Sequence, residues 1–182
     1  GVDLRIVAGT HQYGYGLVVH PDRVREVSDL EKPGLRIGCV REGGSVDVLL
    51  HRVMREYELD PQNILPKVHR MNPPKQVMAI RMDRLDAAFL PEQWASVAED
   101  EGFAMLLTAR DVWPSMQGSV LVVTREFMES SPDVVKKMVQ VNQRATDWIN
   151  AHPEEAAHIL ARRFSLSGGQ AVSEQMAAQL KD

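Results

Sequence analysis

The alternation of short apolar runs with amphipathic segments is the feature that most constrains how this chain folds. Apolar runs of strand length lie at residues 35–40, 85–90 and 104–108, and helical patterns separate them. The clearest helical pattern puts six apolar residues on one face: Val46, Leu49, Leu50, Val53, Met54 and Tyr57. Strands and helices that alternate at this spacing predict βαβ units on a parallel-rich sheet, and so an α/β fold.

The remaining segments fit this pattern up to about residue 117 and then depart from it. A strand is predicted over residues 64–71, and a helix that starts with Pro73 and Pro74 in its first positions follows it. After a strand at 119–124 the pattern is helical, with a last short helix at 170–180. The longest of these helices has Ser131 as a cap and an apolar stripe of five residues: Val134, Met138, Val141, Ala145 and Trp148.

Composition excludes several classes of function. The net charge of −4 and the pI of about 5.9 argue against a nucleic-acid-binding protein. A single cysteine, Cys39, rules out an internal disulfide and a multi-cysteine zinc site. No apolar run approaches the ~18 residues of a membrane span. The six histidines are scattered and no nucleophile motif occurs, so we expect no metal, no cofactor and no catalytic residue.

The turn after the first strand of the α/β region is the strongest local signal for binding. Glu42 and Gly43-Gly44-Ser45 lie between a strand and a helix, with Ser45 as the expected N-cap. Glycines let backbone N–H groups approach a ligand, and a helix N-terminus favours anions or polar groups. The alternative is an ordinary tight turn with a serine cap.

Glu92 and Trp94 follow the buried strand at 85–90, where ligands of open α/β sheets bind. Glu92 suits a cationic or hydroxyl group, and Trp94 suits an apolar or aromatic part of a ligand. The alternative is an acidic residue in the first turn of a helix and a core tryptophan.

Five further residues are candidates because of their places near predicted strand ends. Asn72 either caps the next helix or contacts ligand, and capping is favoured. Gln117 precedes a predicted crossing between two lobes, and three residues follow the first strand: His11, Gln12 and Tyr13.

Several segments together resemble type 2 periplasmic binding proteins, in particular the nitrate/sulfonate/taurine and thiamine-precursor group of ABC-transporter solute-binding proteins. The resemblance covers nearly the whole chain in one consistent order. It rests on Gly16–Val19, Val27–Gly38, Gly43–Ser45, Pro73–Ile80, Leu85–Phe89, Pro91–Ala95, Pro132–Lys137, Ala145–Asn150 and His152–Ala157. The sequence departs from the family at two places. Asp83-Arg84 stand where the family has glycine before the 85–90 strand, and aspartate tolerates the left-handed conformation that this position requires. The Gly-Gly-Ser turn has glycine where the family has a second hydroxyl residue.

The resemblance implies a two-lobed organisation in which the first lobe is only partly present. Residues 1–16 would end a strand region of lobe one, 17–29 would form the first crossover and 30–117 would form a complete lobe two. Residues 118–126 would be the return crossover, and 127–182 the C-terminal helices of lobe one. Since residues 2–8 already have a strand pattern, we expect any targeting segment to lie outside this sequence.

The resemblance also implies a function. The chain would be a monomeric extracytoplasmic component of an ABC importer, periplasmic or lipid-anchored, with a permease as partner. It would bind a small anionic or heteroaromatic ligand in a cleft between lobes by hinge closure, without catalysis. The alternatives are an enzyme of the same fold in thiamine-pyrimidine or menaquinone synthesis, and a sensor domain of a signalling protein.

Overall fold

The computed structural model describes residues 1–166, which form two units. Unit 1 contains residues 1–12 and the chain from residue 117, and unit 2 contains residues 13–116. The predicted break at 167–169 and the predicted helix at 170–180 lie outside the described residues.

Unit 2 is built on a five-stranded mixed sheet in the order β4-β3-β5-β2-β6. Its strands are β2 (Tyr15–Val19), β3 (Ile37–Cys39), β4 (Val68–Arg70), β5 (Ala87–Pro91) and β6 (Ala104–Thr108). β3 runs parallel to both β4 and β5, whereas β2 pairs antiparallel with β5 and β6. All strands except β2 therefore point in one direction, and their carboxyl ends meet at one edge.

The helices of unit 2 cover both faces of this sheet. They are α1 (Ser45–Glu56), α2 (Pro61–Ile64), α3 (Pro73–Arg81), α4 (Glu92–Asp100) and α5 (Ala109–Val112). Successive residues of β5 alternate between two buried clusters, with Ala87 and Phe89 in one and Ala88 and Leu90 in the other. This confirms the interpretation of the 85–90 run as a strand buried on both faces.

In one segment of unit 2 the sequence interpretation was wrong, and in another the structure adds a strand. The segment expected to contain the first crossover includes β2, which pairs with two neighbours in the middle of the sheet. The strand predicted over 64–71 is only Val68–Arg70, and α2 ends at Ile64. Asp60 accepts a hydrogen bond from the Gln62 N–H at 2.9 Å and Pro61 takes the first helical position, so the chain starts a helix there.

The amino end of β5 is fixed by a buried charge cluster. Asp86, 3% exposed, accepts hydrogen bonds from the side chains of Arg36 and Arg23 and from the Arg36 backbone N–H. Burial by itself would raise the pKa of Asp86, but the hydrogen bonds from both arginines outweigh it and hold that pKa well below its usual range. Asp83 adopts a left-handed φ of 53° after α3, as its sequence position predicts.

Unit 1 consists of a two-stranded antiparallel ribbon and three helices among its described residues. The ribbon pairs β1 (Leu4–Gln12) with β7 (Gln117–Thr124), and the helices are α6 (Arg125–Ser130), α7 (Pro132–Ala151) and α8 (Pro153–Leu166). Ser131 is the N-cap of α7, with Pro132 in the first position. α7 packs against β1, α6 and α8.

Candidate functional site

The carboxyl edge of the unit 2 sheet gathers most of the predicted site residues. β3, β4, β5 and β6 all end there, and β2 begins there. The turns that follow these strand ends carry Gly43, Gly44, Ser45, Asn72 and Glu92, and Tyr13 lies just before β2. Ligands of open α/β sheets bind at such an edge.

The turn before α1 differs in detail from the prediction. Gly44 is the N-cap of α1, with φ of −79° and ψ of 163°, and Ser45 is the first helical residue, so the N-cap assignment of Ser45 was wrong. Gly43 has a left-handed φ of 73°, which glycine adopts without strain. Ser45 is exposed. The tight turn places the Ser45 and Val46 N–H groups in the first turn of α1, where the helix itself offers them no acceptor.

Asp47, the third residue of α1, places its own carboxylate in the first turn of that helix. The residue is 4% exposed, and one oxygen of its side chain accepts a hydrogen bond from the Gly43 N–H at 2.9 Å. Its other oxygen pairs with Arg70 Nη1 at 2.5 Å. The same arginine atom also donates to the carbonyl of Val40 at 2.9 Å. The Gly43 N–H of the turn and the partly buried Arg70 are thus already paired within unit 2.

The segment before β2 holds an aromatic side chain in a strained backbone conformation. Tyr13 has a φ of 59°, in the left-handed region that large side chains rarely adopt. Its hydroxyl donates to the carbonyl of Pro114 at 2.7 Å, and its N–H donates to the carbonyl of Met116 at 3.1 Å. The Arg110 guanidinium lies 4.9 Å from the centre of its ring. Strained residues held by several contacts are common at functional sites.

Glu92 lies beside this segment. It is the first residue of α4, and its backbone N–H donates to the carbonyl of Gly14 at 2.9 Å. Its side chain is half-buried, and we find no hydrogen-bond or ion-pair partner for the carboxylate within residues 1–166. Burial raises the pKa of Glu92, and the negative charge of Glu99 raises it further.

Trp94 and Asn72 have structural roles that the sequence also predicted for them. Trp94 is partly buried and packs against the cluster that contains Val18 and Leu90. Asn72 caps α3, since its side-chain oxygen accepts a hydrogen bond from the Lys75 N–H at 3.1 Å. Neither observation tests whether these residues also contact a ligand.

The other three candidates, His11, Gln12 and Gln117, belong to unit 1. Gln12 and Gln117 are paired at the end of the β1–β7 ribbon. The Gln117 amide donates to the carbonyls of His11 at 2.5 Å and Ser119 at 2.9 Å. The ring of His11 lies 3.0 Å from the Ser119 hydroxyl. The structure thus brings these three residues together in one unit and the other seven together in another.

Sequence reasoning missed Asp47, Arg70 and Arg110. Arg110 was detectable, since Thr108 and Asp111 form a capping box directly after a predicted strand, and such a turn places the residues between them at the sheet edge. The pairing of Asp47 with Arg70 carries no local signal, because 23 residues separate them.

Cys39, the single cysteine of the chain, is buried in the interior of unit 2. Burial raises the pKa of the Cys39 thiol to about 12, so it stays protonated and unreactive at neutral pH. Within residues 1–166, no group of three or more histidine, cysteine or acidic side chains is arranged to hold a metal. In the same range, none of the helices has both the length and the apolar character to span a bilayer.

Comparison with known proteins gives a consistent family and fold. Residues 1–165 match the model of the NMT1-like family. A provisionally named binding protein of Brucella abortus and its counterpart in Brucella suis are each 26% identical to the chain over 148 residues. The match covers 80% of this chain and 45% of each relative, so the chain spans about half their length.

Solved structures share the fold at low sequence identity. The ligand-binding component of an ABC-type import system from Staphylococcus aureus, solved with zinc bound, gives a TM-score of 0.76 at 16% identity, over 99% of this chain and 60% of that one. The periplasmic aliphatic sulphonate-binding protein SsuA of Escherichia coli gives a TM-score of 0.74 at 20% identity, over 99% of this chain and 59% of that one. The periplasmic nitrate-binding protein NrtA of Synechocystis gives a TM-score of 0.75 at 14% identity, over 88% of this chain and 45% of that one. The fold is therefore that of the periplasmic binding proteins, and the family match shows that this chain belongs to the NMT1-like family.

Proposed function

We propose that the protein is the extracytoplasmic solute-binding component of an ABC importer, and that its ligand binds at the carboxyl edge of the unit 2 sheet. The observation that carries this proposal is the convergence of four strand ends, the α1 turn, Tyr13 and Glu92 on one edge. Support comes from the fold, since structural neighbours include ligand-binding components of import systems.

The proposed partners are a small molecule and the membrane permease of the importer. Ligand would favour one conformation of the protein, which the permease then recognises. The cleft between two lobes, the monomeric state and the mode of anchoring stay predictions from the family resemblance.

The first experiment is native mass spectrometry of the purified protein. We expect a bound small molecule that is released chemically unchanged on denaturation. Adding it back to stripped protein should raise the melting temperature in a concentration-dependent way, because a ligand that binds only the folded state stabilises that state. Release of a chemically altered product would instead favour the enzyme alternative.

A matched pair of variants tests the place of binding. Ser45→Tyr adds a bulky side chain at the carboxyl edge, and Arg55→Tyr adds the same side chain at the far end of the same helix. Both positions are exposed, so both variants should fold. We expect Ser45→Tyr to abolish most of the ligand-induced rise in melting temperature and Arg55→Tyr to preserve it. Equal responses would place the ligand elsewhere.

A further inference from the structure

The charge of the ligand can be inferred from two places on the carboxyl edge, and this step rests on the proposed function. One place is the N-terminus of α1, where a helix would attract an anion. The other is the half-buried carboxylate of Glu92.

The N-terminus of α1 already has an anion. The buried carboxylate of Asp47 accepts a hydrogen bond from the Gly43 N–H and pairs with Arg70. A sulfonate or nitrate bound there would lie close to this negative charge. Arg70 already pairs with Asp47, so it is not available as a partner for the charge of the ligand. The α1 turn of this chain is therefore poorly suited to a ligand whose main feature is negative charge.

Glu92 presents the opposite situation. Its side chain is partly buried, and among the side chains that the structure describes neither an arginine nor a lysine pairs with its carboxylate. Removing part of a charge from water without compensation costs free energy, so a ligand group that pairs with this carboxylate would be favoured. The helix dipole of α4 favours a negative charge at this position, but burial and Glu99 still raise its pKa.

The other charged side chains of this edge differ from Glu92 in their environment. Arg41, Glu42, Lys75, Arg110 and Asp111 are all exposed. Exposed charges are screened by water and salt, so these side chains contribute little to the selectivity for a ligand of either charge. Asp111 also caps α5, and Arg110 lies over the ring of Tyr13.

We infer that the ligand presents a protonated nitrogen or a pair of N–H donors to Glu92, as an amine, amidine or amino-substituted ring does. Such a group supplies the hydrogen-bond partner that the half-buried carboxylate lacks. Charge-assisted hydrogen bonds of this kind are stronger than neutral ones and fix the orientation of the bound molecule. The preference is thus for a cationic or N–H-rich solute over a simple oxyanion.

Two probes that share a phenyl ring and differ in head group test this inference. Benzamidine carries a planar cation with paired N–H donors, and benzenesulfonate carries an oxyanion, so contacts to the ring cancel in the comparison. Each is titrated into the stripped full-length protein, with binding followed by chemical-shift changes or calorimetry. We expect benzamidine to bind about tenfold or more tightly than benzenesulfonate, which is the scale of one charge-assisted hydrogen bond.

Three variants assign the preference to Glu92. Glu92→Gln should weaken benzamidine binding by about tenfold and leave benzenesulfonate unchanged or tighter, since only the charge is removed. Glu92→Asp keeps the carboxylate and should retain part of the preference. Glu58→Gln removes an exposed charge beyond the far end of α1 and should change neither affinity.

The outcomes separate this inference from the proposed function. Tighter binding of benzenesulfonate, or equal loss of both probes in Glu92→Gln, would overturn the inference and leave a binding protein with a different selectivity. Failure of benzamidine to bind would overturn it as well. A chemically altered molecule released in the mass-spectrometry experiment would instead refute the binding function itself.

Discussion

Helices α1 and α7 carry the same kind of apolar stripe in very different environments. In α1, Leu49, Leu50 and Val53 are fully buried against the unit 2 sheet. In α7, Val134 is 48% exposed and Val141 is 53% exposed within the described structure. A period of 3.6 residues therefore shows which face of a helix is apolar, but not what covers that face.

The same contrast holds for the strands of the two units. β5 is buried on both faces, whereas β1 has two exposed apolar residues, Leu4 and Ile6. Stability in unit 2 thus comes from a closed core and a buried charge cluster, and the described part of unit 1 relies on ribbon pairing and partly exposed contacts. Substitutions of the same chemical kind should therefore have unequal effects in the two units.

The largest difference is expected for ion pairs. Asp86→Asn removes the charge that Arg23 and Arg36 share, and should lower the free energy of unfolding by about 3 kcal/mol, near the low end for a broken buried pair, because both arginines are partly exposed. Asp3→Asn removes the charge that Arg5 and Arg125 share in unit 1, and because the Asp3 side chain is exposed the loss should be less than about 1 kcal/mol. Urea unfolding at neutral pH measures both.

The pH dependence of unfolding tests whether the loss in Asp86→Asn comes from the missing charge. The pKa of Asp86 is lower in the folded protein than in the unfolded chain, so its stabilisation is present above the ordinary aspartate pKa of about 3.9 and is lost as the pH falls toward the folded value. The gap between wild type and Asp86→Asn should therefore narrow below about pH 4. A gap that stays constant with pH would mean that the substitution acts through packing rather than charge.

The second difference concerns the two apolar stripes. Val53→Ala in α1 removes two buried methyl groups and should cost about 2 kcal/mol or more, with the remaining cavity included. Val141→Ala in α7 makes the same chemical change at an exposed position and should stay within about 0.5 kcal/mol of wild type. Helix propensity changes equally in both, so it cancels. Equal losses in the two variants would show that the α7 face is covered in solution.

Local patterns predicted the elements of unit 2 well, because its helices and central strands are apolar where the sheet requires it. The N-cap role of Asn72 and the left-handed turn at Asp83 were also predictable, since both depend on neighbouring residues alone. The place of β2 in the middle of the sheet was not predictable in this way, because it depends on antiparallel pairing with β5 and β6, far along the chain.

The candidate site was predictable in position but not in electrostatics. Strand ends and glycine turns located the carboxyl edge from sequence, as the positions of Gly43 and Glu92 show. The pairing of Asp47 with Arg70 and the half-burial of Glu92 arise from tertiary packing, which no local pattern encodes. These two features determine the expected charge of the ligand.

The smallest difference is expected at two strand glycines. An added Cβ at Gly38 in β3 would lie 2.7 Å from Gln76 Oε1 and 2.8 Å from Leu85 Cδ1, both in the buried interior of unit 2. Gly38→Ala should therefore cost about 1 kcal/mol or more through overpacking. At Gly9 in β1 the nearest atoms, 3.2 Å away, belong to the end of the exposed Gln117 side chain, which can move. Gly9→Ala should be neutral or slightly stabilising, since alanine restricts the unfolded chain. Urea midpoints of the two variants measure the difference, and a neutral Gly38→Ala would mean that the sheet and α3 are less tightly packed than the structure has them.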